Sequence, residues 1–196
     1  KTGADFFWRP SSNFQVTATV NPDFGAVESD EAIINLSATE TFFPEKRLFF
    51  LEGQEIFVAS PRANTVGRGV GRGGTPTTLM NTRRIGGKPL EPVTMLDITI
   101  SDRELRQPVD LIGAVKITGQ SGALRFGVLA AFEGDVIFDA SLSGDPFHLE
   151  GESSDYGVAR ILYENQSGGS YKAIGALTTA VVNKQRDALT HGLDGH

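Results

Sequence analysis

Leu111-Ile-Gly-Ala-Val-Lys-Ile-Thr-Gly-Gln-Ser-Gly-Ala-Leu-Arg-Phe-Gly-Val-Leu-Ala-Ala-Phe-Glu133 is the most informative run in a chain of 196 residues. It reads as two strands, Leu111 to Thr118 and Ala123 to Glu133, around a turn at Gly119-Gln-Ser-Gly122. In the return strand Leu124, Phe126, Val128, Ala130 and Phe132 share one face, and Ala123, Arg125, Gly127, Ala131 and Glu133 share the other. Leu129 is the one large exception on that second face. Strands in soluble proteins average only about five or six residues. About ten residues, oily on one side and small or charged on the other, is what a tilted membrane strand beside a wet interior requires. Alternation by itself is equally at home in a soluble β-sandwich.

The same grammar recurs on both sides of this hairpin. Phe14 to Asn21 alternates without error, and the aromatic run Ala4 to Arg9 precedes it across the turn cluster Pro10-Ser-Ser-Asn13. Ala32 to Leu36, Arg47 to Leu51 and Met95 to Ile100 are further strand-like runs. A second long hairpin is expected from Tyr156 to Tyr163 and Tyr171 to Val182, joined by Asn165-Gln-Ser-Gly-Gly-Ser170. Lipid offers no partner to backbone N–H and C=O groups, so strands cross a bilayer only as a closed cylinder. The expectation is an all-β fold: an antiparallel up-and-down transmembrane β-barrel. Residues 1–196 form one region, with 38–58 folding inward and 60–76 a flexible, Gly- and Arg-rich loop. Leu189 to His196 reads as a turn in mid-pattern, and the expectation is therefore the front part of a larger barrel.

Composition narrows the function. Eighteen basic against 24 acidic side chains give a net charge of −6, which supplies no general field for polyanions, and the expectation is no nucleic-acid partner. Cysteine is absent, which rules out zinc ribbons and thiol chemistry. Gly at 23 residues, about 12% against roughly 7% in ordinary proteins, favours turns and close backbone contacts. No apolar run approaches the roughly 20 residues of a membrane helix. No charged-then-apolar leader precedes Lys1, so any export signal is expected to lie upstream or to have been removed.

A family resemblance rests on Asn21-Pro-Asp-Phe-Gly-Ala-Val-Glu28, Asn35-Leu-Ser37, Glu40-Thr-Phe-Phe-Pro-Glu-Lys-Arg-Leu-Phe-Phe-Leu-Glu-Gly53, Arg83-Arg-Ile-Gly86 and Gly113-Ala-Val-Lys-Ile-Thr-Gly119. In this order they resemble the DUF5916 family over roughly residues 3 to 180. The resemblance implies a bacterial outer-membrane barrel, commonly preceded by a family-9-type carbohydrate-binding module, with some members described as membrane-associated hydrolases. It carries no catalytic residues over. The chain departs from the family pattern at Leu48, where Pro is usual, at Asn81-Thr82, where an aromatic residue and Ser precede the paired arginines, and in the Gly67 to Gly74 insertion. These departures fall in loops more than in strands.

The binding candidates are Asp23, Glu45, Lys46, Arg47, Glu52, Arg83 and Arg84. Glu45, Lys46, Arg47 and Glu52 surround Phe42, Phe43, Phe49 and Phe50, a mixture suited either to a lumen constriction or to a structural knot of ion pairs. Arg83 and Arg84, with Lys88, offer forks for a carboxylate or phosphate, or for pairing with acidic wall residues. The glycine-arginine loop lacks the Lys of a phosphate-binding loop. No Gly-x-Ser-x-Gly elbow occurs, and Ser121 and Ser170 lie in glycine turns. His148, His191 and His196 have no triad context, and His191-Gly-Leu-Asp-Gly-His196 lacks a recognised metal-site setting. Glu28, Glu150, Glu152 and Asp155 join Asp23, Glu45 and Glu52 as carboxylates that a glycosidase would need in close pairs. No cofactor, metal or catalytic residue is expected. The expected partner is outer-membrane lipid, with carbohydrate as a ligand class, and the expected role is solute passage or surface binding. A polysaccharide hydrolase and a soluble carbohydrate-binding sandwich are the alternatives.

Overall fold

Alternating residues with glycine turns leave the backbone one economical arrangement, the antiparallel ladder between neighbours in sequence. A computed structural model describes residues 2–24, 45–59, 79–93, 98–167 and 169–195. Ten strands are described: β1 (Ala4–Ser11), β2 (Phe14–Val20), β3 (Ile98–Ile100), β4 (Leu111–Ser121), β5 (Leu124–Glu133), β6 (Val136–Leu142), β7 (Asp145–Gly151), β8 (Asp155–Ser167), β9 (Ser170–Val182) and β10 (Ala188–Gly195). Seven form one antiparallel sheet in the order β1-β2-β4-β5-β8-β9-β10, and β3-β6-β7 form a second. The protein is all-β and antiparallel, and within the described residues the large sheet is open: β1 pairs only with β2, and β10 only with β9.

Connections differ at the two ends of the large sheet. Tight connections close one end, at Ser12-Asn13, at Gly122-Ala123 and between the paired Ser167 and Ser170. The other end carries the longer connections, from β2 to β4, from β5 to β8 and from β9 to β10. The central turn is tighter than expected, because the ladder continues to Ser121↔Leu124. Leu189 to His196, expected as a turn, instead lies largely within β10, whose Leu189, His191 and Leu193 alternate with Thr190, Gly192 and Asp194. Arg47 to Leu51, expected as a strand, contains a helical turn, α1 (Leu48–Leu51). A strand would send Phe49 and Phe50 to opposite faces; the turn buries both, edge to face at 5.0 Å. Ala32 to Leu36, Met95 to Asp97, residues 38–44 of the inward-folded segment and the whole of the 60–76 loop lie outside the described residues.

Register carries residue parity across the sheet. Ala18 faces Val115, which faces Ala130, Gly157 and then Ala180; Thr17 faces Lys116, which faces Leu129, Val158 and then Thr179. The first parity is largely apolar, with its charged members Asp155 and Lys172 at opposite rims and the Thr178–His191 pair toward the β10 edge. Nothing among the described residues covers it: Val128 is 45% and Leu193 86% exposed. The second parity includes Lys116, Arg125, Glu133, Arg160 and Asp194, and it is the covered side over the middle of the sheet, while Phe7 of the same parity on the edge strand β1 is exposed. Leu129, the exception in the sequence pattern, is 1% exposed beneath that cover, in one cluster with Phe49, Phe50, Ile56 and Phe57.

Gly127 permits this cover to approach. A Cβ there would meet Phe57 at 2.8 Å and Ile56 at 2.9 Å, whereas one at Gly157, of the opposite parity, meets only Ala180 at 3.8 Å. Gly127→Ala is therefore expected to cost about 1–3 kcal/mol through overpacking, and Gly157→Ala to be close to neutral. Thermal or denaturant unfolding of the two variants measures the difference.

Candidate functional site

The covering layer consists of residues 45–59, with α1 and a 3-10 turn (Gln54–Phe57), and residues 79–87, with a second 3-10 turn (Thr82–Arg84). Arg47 joins the two segments. Its guanidinium pairs with Glu45 at 2.7 Å and donates through Nη1 to the Ile85 carbonyl and through Nη2 to the Thr82 carbonyl, each at 2.6 Å. It also lies over the Phe50 ring at 4.2 Å and the Phe24 ring at 5.2 Å. Glu45 Oε1 accepts the backbone N–H groups of Lys46 and Arg47 in addition to Arg47 Nε. Burial alone would raise the Glu45 pKa, but the hydrogen bonds from Arg47 and Thr82 and the charge of Arg47 outweigh it and hold the carboxyl below its ordinary range.

The wall grips this layer through its backbone. Lys116, 2% exposed, donates to the carbonyls of Phe49 and Glu52 and sits 4.9 Å from the Phe49 ring centroid. These carbonyls lie at and just beyond the end of α1, where intrahelical partners run out. Glu133 accepts the N–H groups of Gly86 and Ser154, each at 2.9 Å, and Tyr156 donates to the Arg84 carbonyl at 3.2 Å. Farther along the wall Arg160, 3% exposed, pairs with Asp194 of β10. Its path crosses Gly175 of β9, where a Cβ would lie 2.6 Å from Arg160 Nη2. Arg125 bridges Glu55 of the layer at 3.6 Å and Glu164 of β8 at 3.5 Å, and Tyr171 donates to Glu164 at 2.5 Å.

The sequence candidates divide accordingly. Glu45 and Arg47 meet, and Arg47 draws the segment carrying Arg83 and Arg84 against them, but its guanidinium is occupied by protein oxygens and π-faces. Lys46 is half-buried, with its backbone N–H on Glu45. Glu52 is exposed and contributes its carbonyl to Lys116. Arg83 is half-buried, Arg84 is exposed, and Asp23 is exposed beside Phe24 of the cluster. These seven residues thus lie in or beside the cover rather than around one open pocket. Lys116, Glu133, Tyr156, Arg160 and Asp194 were not singled out from the sequence; a polar side chain at the inward parity of a long strand was their available signal.

Outside the cover, Glu150, Glu152 and Asp155 line a polar cleft of about 720 Å³ with Asp135, Asp187 and Lys184. His148 pairs with Asp139 at 2.9 Å on the exposed small sheet, and the His191 ring lies 3.0 Å from the Thr178 hydroxyl. Among the described residues no group of three or more His, Cys, Asp or Glu is placed to hold a metal ion.

A family model described as a domain of unknown function, DUF5916, matches residues 1–138. No curated protein and no solved structure matches.

Arg47→Met would leave the Glu45 carboxylate buried without its counter-ion and two carbonyls without donors, an expected loss of about 3–5 kcal/mol at pH 7. Because the folded-state pKa of Glu45 is depressed, its stabilising contribution is complete above the unfolded value of 4.5 and is lost as pH falls through the folded value. The gap between wild type and Arg47→Met should therefore narrow below pH 4.5, as denaturant midpoints at pH 7 and pH 4 would measure.

Proposed function

Because the chain belongs to the DUF5916 family, the question is what this fold does for such a protein, and we propose that it forms the wall and interior plug of a transmembrane β-barrel in a bacterial outer membrane, serving restricted passage of a solute. The observation that carries this reading is the inversion of the large sheet: charged side chains lie on its covered face and a belt of uncovered apolar residues on the other. A soluble sandwich buries its apolar face under a second sheet, whereas lipid is the solvent in which such a face is left bare.

Belt geometry supports the same reading. From Leu124 to Phe132 the apolar parity spans eight residue steps, about 27 Å along the strand. At a tilt of about 40° that is about 20 Å of membrane normal, against an apolar band of about 25 Å in known barrels. Strands β4, β5, β8 and β9 have 11, 10, 13 and 13 residues, enough to cross. On the side of the tight connections, Trp8, Phe14 and Phe126 form an aromatic row with centroids 6.1 and 6.5 Å apart, and Tyr163 shares their parity. Such rows suit the headgroup layer, and short turns at one end with long connections at the other are usual in outer-membrane barrels.

Closure needs further strands on both edges. β1 and β10 run in the same direction, because six antiparallel pairings, an even number, separate the two edges of the seven-strand meander. An all-antiparallel barrel therefore takes an odd number of added strands.

Val128→Arg separates the two environments. At an exposed position in water the change should lie within about 0.5 kcal/mol of neutral, but at the lipid face near mid-membrane it should cost about 2–4 kcal/mol. The expected result is a full-length protein that needs detergent, migrates faster unheated than boiled, and loses folded yield in the variant. A wild type soluble without detergent, with Val128→Arg unaltered in stability, would overturn the reading.

A further inference from the structure

Two sets of contacts hold the covering layer, and they differ in kind. The first set is internal to the layer: Arg47 ties residue 45 to residues 82 and 85 through its charge pair and two carbonyls and lies over Phe50, while Phe24 meets the same guanidinium from outside the two segments. It uses no side chain of the large sheet beyond the apolar cluster. The second set joins layer to wall: besides the Arg125–Glu55 pair, it runs from wall side chains to backbone atoms of the layer, Lys116 to the carbonyls of Phe49 and Glu52, Glu133 to the N–H of Gly86, and Tyr156 to the carbonyl of Arg84.

Separating the layer from the wall breaks this second set and leaves the tie from Arg47 to Glu45, Thr82 and Ile85 whole. The wall side chains uncovered are of two kinds: Lys116 and Glu133, which water solvates well, and the apolar seat of Leu129 and Leu177 under Phe49, Phe50, Ile56 and Phe57, whose exposure sets the cost of opening. Both covalent routes between layer and wall also reach the same rim, since β2 ends where Val20 faces Gly113 near the start of β4. A body attached at one rim can leave the bore without threading through it.

We propose that residues 45–59 and 79–87 form one preassembled plug that moves as a unit, clamped internally by Arg47 and latched to the wall by Lys116 and Glu133, and that its displacement opens the bore. This rests on the barrel reading above and adds its regulation.

The 196 residues contain no Cys, so an introduced pair is unambiguous within them. A Cβ at Gly53 of the plug would lie 3.5 Å from Thr118 Cγ2 on the wall, which places Gly53→Cys and Thr118→Cys within disulfide reach. The full-length protein carrying both substitutions is reconstituted in planar bilayers and its current recorded oxidised and after reduction by dithiothreitol. Reduction should raise the frequency of openings at least tenfold, and oxidation should remove them again. Lys116→Met, which keeps the stem and removes the latch, should raise openings at least tenfold over wild type without any cross-link, and it serves if the left-handed backbone at Gly53 does not tolerate Cys. Openings equally frequent in the oxidised and reduced states, or no openings in either state or in Lys116→Met, would overturn the displaceable plug. Failure of the same preparations to require detergent or to shift on unheated gels would instead overturn the barrel reading beneath it.

Discussion

The antiparallel register of the large sheet is the constraint on which the rest depends. Side chains alternate with a period of two, so pairing Thr17 with Lys116 and Lys116 with Leu129 commits every later strand to the same division of faces. One residue of slip would put Lys116 and Arg160 among Val128 and Ile161, and the uncovered face would cease to be apolar. What register produces here is opposite to a water-soluble sheet: Lys116, Glu133 and Arg160 are buried while Phe6, Ile174 and Leu193 stand exposed.

Burying charge is costly unless each group finds a complement. In the cover those complements are largely backbone groups that would otherwise be orphaned: carbonyls at the end of the short helix α1 for Lys116, and the N–H groups of Gly86 and Ser154 for Glu133. Polar wall and irregular cover satisfy one another, which explains why a layer with only helical turns packs stably against a sheet. The apolar seat between them, Leu129 and Leu177 under Phe49, Phe50, Ile56 and Phe57, supplies the burial that backbone contacts alone do not.

Much of this wall was legible in the residues. The Leu111 to Glu133 hairpin, the Tyr156 to Val182 hairpin and the Phe14 to Asn21 strand announce themselves because alternation and glycine turns are local signals. Arg47 to Leu51 was misread for a physical reason: an unbroken apolar run fits a buried strand and a buried helical turn alike, and only the sheet beneath it makes burial of both Phe49 and Phe50 favourable. Leu189 to His196 was misread because two glycines and an Asp resemble a turn, while β9 provides a template that makes even this weak sequence pair. Arg47 was picked out as a chemical group, but its partners, the carbonyls of Thr82 and Ile85, are anonymous in any sequence.

By itself the sequence determined strand-rich antiparallel architecture, the division of each strand into an oily and a polar side, and the family to which the motifs point, because all three are carried by residue type and spacing. Only the tertiary structure decided that the polar side is the covered one, that Glu45 and Arg47 are spent on a clamp, and that Lys116, Glu133 and Arg160 become buried anchors. Those outcomes depend on which backbone atoms, tens of residues away, arrive opposite each side chain, and contacts of that range are set by the assembled sheet rather than by local pattern.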